Sequence, residues 1–183
     1  MTTTPISNVD ALPRFRRRDA IGYICRALLI GGLAYLLLYF PYPAGTLPVR
    51  LLASYLRLVA HVSAAVAWLF DHNVVATGDL VSGRFSLRIV LDCAALDAHA
   101  LLAAAVLAFP APLALRLYGV LAGTLCLAAM NIGRIVTLYV VGMRWPSAFH
   151  WMHEEVLQLG VVLCAFLSFL AWIVWARRQS ARA

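Results

Sequence analysis

Residues 118–142 read Y-G-V-L-A-G-T-L-C-L-A-A-M-N-I-G-R-I-V-T-L-Y-V-V-G, and this run indicates the class of protein. It contains one charge, Arg134, and one side-chain amide, Asn131. Such a run predicts a membrane-spanning helix, because about 20 apolar residues cross a hydrocarbon core of roughly 30 Å. A guanidinium inside a span costs about 2.5–3.5 kcal/mol on insertion scales. Since Asn131 lies three residues before Arg134 on the same helix face, we expect polar groups from other helices to face both.

The composition of the whole chain is that of an integral membrane protein. Its 183 residues are 63% hydrophobic, and the mean hydropathy is +0.85. This length suits one compact bundle. The net charge of +7 comes from arginine alone, since the chain has no lysine, and most arginines lie just outside apolar runs. That placement is a membrane-topology signal and argues against nucleic-acid binding.

Four apolar runs predict membrane crossings, at residues 21–40, 94–109, 118–142 and 156–175. Arginines precede the first run, in R-F-R-R-R, and follow the last run. Because positive charge stays on the cytoplasmic side, both termini are expected to be cytoplasmic. We therefore expect one bundle, residues 21–176, between cytoplasmic tails at residues 1–20 and 177–183.

A fifth apolar run, residues 51–70, carries Arg57 and His61 on one face. Termini on the same side require an even number of crossings, and the other runs already supply four. We expect this run to lie along or dip into the outer leaflet without crossing. A fifth crossing that violates the charge rule is the alternative.

Residues 73–90 are the one region with strand character. Phe85, Leu87 and Ile89 alternate with polar residues after turn signals that contain glycine. This pattern predicts a short hairpin on the outer face. The predicted fold class is an all-α polytopic membrane protein, a small helical bundle with a short extracytoplasmic β-hairpin.

Three reactive or charged side chains fall at one predicted depth. At 1.5 Å per residue from the inner ends of their runs, Cys93 and Arg134 lie about 24 Å up, and His153 about 33 Å up. A thiol, an imidazole and a guanidinium near the outer edge of the hydrocarbon layer indicate a thiol-protease site. Cys93 would be the nucleophile, His153 a general base and then acid, and Arg134 an electrostatic stabiliser of the thiolate or an oxyanion.

Each of these residues also has a structural interpretation. A lone cysteine such as Cys93 is usually a packing residue. Arg134 could be the ion-pair partner of Asp92 or of Asp97, which shares a helix face with Cys93. Asn131 is expected to orient Arg134 or to bond to another helix.

His150 and His153 could instead belong to an interfacial belt of aromatic residues. The cysteines show no metal-ligand spacing, and no phosphate-loop, zinc-protease or dinucleotide fingerprint is present. We therefore expect neither a cofactor nor a metal.

Several short motifs occur in an order that resembles a known family. A cysteine opens one run, N-I-G-R-I ends the next, F-H-W-M-H-E-E opens the last, and A-F-P-A-P-L-A-L-R-L-Y-G lies between them. Over roughly residues 80–175 this order resembles the exosortase/archaeosortase family of membrane transpeptidases. The chain departs from many members in one respect: they have a glycine soon after the cysteine, whereas this chain reads C-A-A-L-D.

The resemblance implies a multi-pass enzyme of the bacterial inner membrane, with its active site near the outer face. Its partners would be exported proteins whose C-terminal signal combines a short motif, an apolar helix and a basic tail, together with the lipid bilayer. The resemblance places the catalytic residues at Cys93, Arg134 and His153, with His150 as the less favoured histidine.

Two other functions compete with this one. A non-catalytic membrane subunit of an envelope export or assembly system would use Arg134 as a structural charge. A small transporter is disfavoured, because the chain has too few spans for an inverted repeat.

Overall fold

A computed structural model describes residues 17–180, so most of the N-terminal tail (residues 1–16) and the last three residues (181–183) lie outside the described range. The long helices are α1 (Arg17–Tyr39), α2 (Leu47–Ala67), α3 (Leu96–Ala108), α4 (Leu113–Arg144) and α6 (Leu157–Ser180). A short helix, α5 (Phe149–Trp151), and a π turn (Met152–Val156) precede α6. Together with one small sheet, this confirms the predicted fold class of a helical bundle with a short β element.

The first layer of the fold is a bundle of α1, α3, the N-terminal half of α4, and α6. Its core includes Leu102 of α3, Leu127 of α4 and Trp172 of α6. The close approach of α4 depends on Gly119 and Gly123, because a Cβ at either position would overlap Trp172 or Leu102. Helix α1 packs against α3.

The second layer contains α2, the sheet and the C-terminal half of α4. Its core includes Ala60 of α2, Val81 of the sheet and Tyr139 of α4. Helix α4 takes part in both layers because its 32 residues extend about 48 Å, well beyond a hydrocarbon core of roughly 30 Å.

The sheet has one strand more than the predicted hairpin. It is antiparallel, with the order β1 (Val75–Thr77), β2 (Leu80–Ser82), β3 (Ser86–Arg88). The predicted alternation is present in β3, where Leu87 is buried between two exposed residues. The additional strand, β1, follows from the tight turn at Gly78, whose φ of +65° is readily adopted by glycine.

A buried carboxylate joins this sheet to α4. Asp71 accepts hydrogen bonds from Tyr139 Oη at 2.6 Å and from the backbone N–H groups of Arg84 at 3.0 Å and Asn73 at 3.1 Å. The hydrogen bonds from Tyr139 and from the Arg84 backbone lower the pKa of Asp71 to about 2. Asp71 therefore stays ionised and fixes the end of α4 against the sheet.

The helix lengths differ from the predicted runs. Within residues 17–180, four stretches are long and apolar enough to cross a membrane: residues 19–39, α2, α4, and Pro146–Gln179. Helix α3 has only 13 residues, about 20 Å, because a 3₁₀ turn (Leu91–Ala94) replaces the start of the predicted run at 94–109. Which of these helices cross the bilayer stays a prediction.

Candidate active site

Cys93 lies in the 3₁₀ turn where the sheet leads into α3. Its side chain is buried, and its backbone N–H donates to the Val90 carbonyl at 3.0 Å. Ala95, two residues later, has φ +53° and ψ +25°, and no other non-glycine residue described by the structure has positive φ. This left-handed residue ends the turn and starts α3, so it sets the angle between the turn that carries Cys93 and the helix.

His153 lies beside Cys93, at the head of the last helical stretch. The Cys93 Sγ and His153 Nε2 atoms are 3.5 Å apart. His153 belongs to the π turn, a type of helical widening that occurs frequently at functional sites. The ring of Phe149 stacks on the imidazole, with the centroids 6.0 Å apart and the planes 17° apart. The sequence therefore correctly anticipated the proximity of these two residues, which lie 60 positions apart.

Arg134 is almost fully buried, at 3% exposure, and its Nε has no hydrogen-bond partner among residues 17–180. It interacts electrostatically with Cys93. It also lines a cavity of about 310 Å³, in which the guanidinium, the imidazole and several polar groups meet. The residues lining this cavity are Asp92, Asp97, Arg134, His153, Glu154 and Gln158.

The carboxylates around this cavity form no direct ion pair with Arg134 in the described residues. Within residues 17–180, no ion pair joins Arg134 to Asp92 or Asp97. Both Asp97 carboxylate oxygens instead accept hydrogen bonds from Tyr39 Oη, at 3.1 and 3.0 Å. The interpretation of Arg134 as the ion-pair partner of either aspartate is therefore wrong. Its charge is available to a group bound in the cavity.

The supporting residues separate into two groups. Asp97 lines the cavity, whereas His150 is exposed and its Nε2 lies 3.1 Å from Glu154 Oε2. Asn131 is buried, but its Oδ1 has no partner in the part of the chain that the structure describes, and no hydrogen bond joins Asn131 to Arg134.

Sequence reasoning missed Gln158 and the role of Ala95. Gln158 lies four residues after Glu154 of the His153 motif, and residues four apart share one face of a helix. Extending the motif by one helical turn would therefore have identified Gln158. Ala95 had no comparable signal, because alanine is not a residue that indicates a left-handed turn.

The fold defines a multi-pass membrane protein, and it places the His153 imidazole and the Arg134 guanidinium on one cavity, with the Cys93 thiol in contact with that imidazole. The transmembrane exosortase family model matches residues 24–173, most of the chain, and the chain belongs to this family. The resemblance inferred from the motifs is therefore confirmed. Membership indicates a membrane peptidase or transpeptidase. No curated protein and no solved structure is significantly similar to the chain.

Proposed function

We propose that this protein is a cysteine transpeptidase that cleaves C-terminal sorting signals of exported proteins at the outer face of the bacterial inner membrane. The observation that carries the proposal is the 3.5 Å approach of His153 Nε2 to Cys93 Sγ beside the unpaired guanidinium of Arg134. A nucleophile within reach of a base is the arrangement required for covalent catalysis.

The first half of the reaction forms an acyl-enzyme. His153 Nε2 takes the thiol proton, and the Cys93 thiolate attacks the carbonyl carbon of the scissile peptide bond. The tetrahedral intermediate then breaks its C–N bond, and His153 returns the proton to the leaving amine. The products are a thioester on Cys93 and the released C-terminal peptide.

Arg134 supplies the positive charge for this half-reaction. Because its Nε has no protein partner, it can interact with charge that develops on the substrate. A fixed donor in a buried site stabilises a thiolate or an oxyanion more strongly than it would in water, since little reorganisation is needed.

The second half transfers the acyl group. An acceptor amine or water loses a proton to His153 and attacks the thioester, and Cys93 leaves as a thiolate that regains its proton. The acceptor reaches the thioester through the cavity between the heads of α3 and α6, where Gln158 and Asp97 provide polar groups.

The test is the processing of exported proteins in the native host. Cys93→Ala should leave substrates with their C-terminal helix attached, whereas the matched control Cys126→Ala should process normally, because Cys126 lies on an exposed face of α4. Intact mass measurement of the exported proteins distinguishes the two forms. Normal processing by Cys93→Ala at wild-type expression would remove the catalytic assignment and favour the non-catalytic subunit.

A further inference from the structure

Helix α2 has three faces along its length. One face, which includes Val59, Ser63 and Ala67, is buried against the sheet and α4. At 3.6 residues per turn, the exposed remainder divides into two stripes. The apolar stripe comprises Leu51, Leu58, Val62 and Val66, and the cationic stripe comprises Arg50, Ser54, Arg57 and His61.

The cationic stripe borders a cavity against the sheet. This cavity measures about 440 Å³ and lies between Arg50, Ser54 and Arg57 of α2 and the Gly78–Asp79 turn that joins β1 to β2. Arg57 Nη2 donates to Ser54 Oγ at 3.0 Å, which holds the guanidinium along the helix. Neither arginine forms an ion pair in the part of the chain that the structure describes, including with the nearby carboxylate of Asp79.

We propose that this cavity binds the phosphate of an outer-leaflet phospholipid headgroup, and that α2 lies in the plane of that interface. Arg50 and Arg57 would contact the phosphate oxygens, since guanidinium groups match phosphate in charge and geometry. The lipid's acyl chains would lie along the neighbouring apolar stripe.

The charges in the cavity fit this occupant. Two arginines and one aspartate leave one net positive charge, which balances the single negative charge of a phosphodiester. A helix with an exposed apolar stripe beside a cationic stripe is also the usual form of an interfacial helix.

If α2 crossed the bilayer, the arginines of the cationic stripe would lie at an unfavourable depth in the hydrocarbon. Arg57 is the middle residue of α2 and is exposed, so a perpendicular helix would hold its guanidinium in hydrocarbon near the bilayer centre. Charged residues within a membrane normally face the protein interior or a water-filled cavity. Lying flat, the helix places Arg50 and Arg57 at one depth among headgroups.

The lipid site would also bear on the position of the thiol. Tyr55 Oη, on the same helix, donates to the Ala94 carbonyl at 3.4 Å, in the turn that carries Cys93. A headgroup that fixes the depth of α2 would thus help to fix the depth of this turn.

The test uses the full-length protein in uncharged detergent and follows its thermal unfolding midpoint during titration with dioctanoyl phosphatidylglycerol. We expect stabilisation at concentrations where dioctanoylglycerol, which lacks the phosphate, has little effect. The double variant Arg50→Gln/Arg57→Gln should bind roughly tenfold more weakly, because two charge-assisted contacts are lost. The matched control Arg144→Gln, at the end of α4, should titrate as wild type.

One further variant separates binding from folding. Asp79→Asn removes a negative charge from the cavity, so it should bind phosphatidylglycerol more tightly, a gain that misfolding would not produce. The proposal is overturned if the double variant titrates like the wild type, if Asp79→Asn shows no gain, or if inorganic phosphate alone produces the full stabilisation.

Discussion

Ala95 should tolerate glycine although it is almost completely buried, and its neighbour Ala94 should not. Ala95 adopts φ +53°, a conformation that costs an L-residue roughly 1–2 kcal/mol and costs glycine almost nothing. Ala94 is fully buried and has negative φ. The two alanines therefore form a matched pair that differs in backbone conformation.

The expected free energies follow from three contributions. Removing a buried methyl group costs about 0.8 kcal/mol, and the added freedom of the unfolded chain costs about 0.4–1 kcal/mol more. Ala94→Gly carries both costs and should destabilise the protein by about 1.5 kcal/mol. Ala95→Gly carries the same costs but relieves the backbone strain, so the net change should be close to zero.

Thermal unfolding in detergent measures this difference. For a chain of this size about 1 kcal/mol corresponds to about 2–4 °C, so Ala94→Gly should lower the midpoint by about 3–6 °C and Ala95→Gly by about 2 °C or less. Ala95→Val should be worse than either, because a β-branched residue is poorly accommodated at positive φ. Equal losses for Ala94→Gly and Ala95→Gly would refute the argument that Ala95 stores strain beside Cys93.

Four further predictions test the candidate active site and the second layer of the fold. Arg134→Lys should strongly reduce processing of exported proteins, because lysine keeps the charge and loses the planar fork; near-normal processing would reduce its role to charge alone. His150→Gln should process within about twofold of wild type, since its exposed ring contacts Glu154, whereas His153 contacts the Cys93 thiol; a large loss would reopen the choice of histidine. The pKa of Asp71 is lowered in the folded protein, so the stability that its carboxylate contributes should be complete above about pH 4 and lost as the pH falls towards about 2. If the unfolding midpoint of an Asp71→Asn variant fell just as steeply over that range, this expectation would be contradicted. Gly83→Ala should destabilise by about 1–3 kcal/mol in thermal unfolding, because the new Cβ would overlap the Tyr139 hydroxyl and lie 2.8 Å from Asp71 Oδ2; an unchanged midpoint would show that this network can shift.

The candidate site could be proposed from the sequence because counting residues along each membrane span gives every side chain an expected depth. Cys93, Arg134 and His153 could be placed at one level by counting residues from the ends of their apolar runs. Their motifs then distinguished His153 from His150 through the resemblance to a family. The structure brings the His153 imidazole to Cys93 and to the cavity that Arg134 lines, whereas the depth of the three residues in the membrane and their catalytic roles stay predictions.

The features that the sequence did not predict depend on local backbone geometry and on pairing choices. The periodicity of apolar residues does not show that a 3₁₀ turn at Cys93 shortens α3, or that Ala95 is left-handed. Alanine gives no sequence signal for this conformation, which glycine favours. The ion-pair interpretation of Arg134 failed for a similar reason, because composition does not reveal that Asp97 accepts from the Tyr39 hydroxyl of another helix.

The meeting of the two layers gives a physical reason for the depth of the proposed reaction. Cys93 belongs to the core of the second layer, and Ala95, two residues later, belongs to the core of the first layer, so the thiol lies at their boundary. Within hydrocarbon, a substrate's carbonyl groups have to hydrogen-bond inside a helix, and water for proton transfer is lacking. Just above that level the chain can unwind and present one carbonyl to a nucleophile. Under the proposed function, this boundary would be the deepest level at which a peptide anchored by an apolar helix can be attacked, and it is where the fold brings Cys93 and His153 into contact.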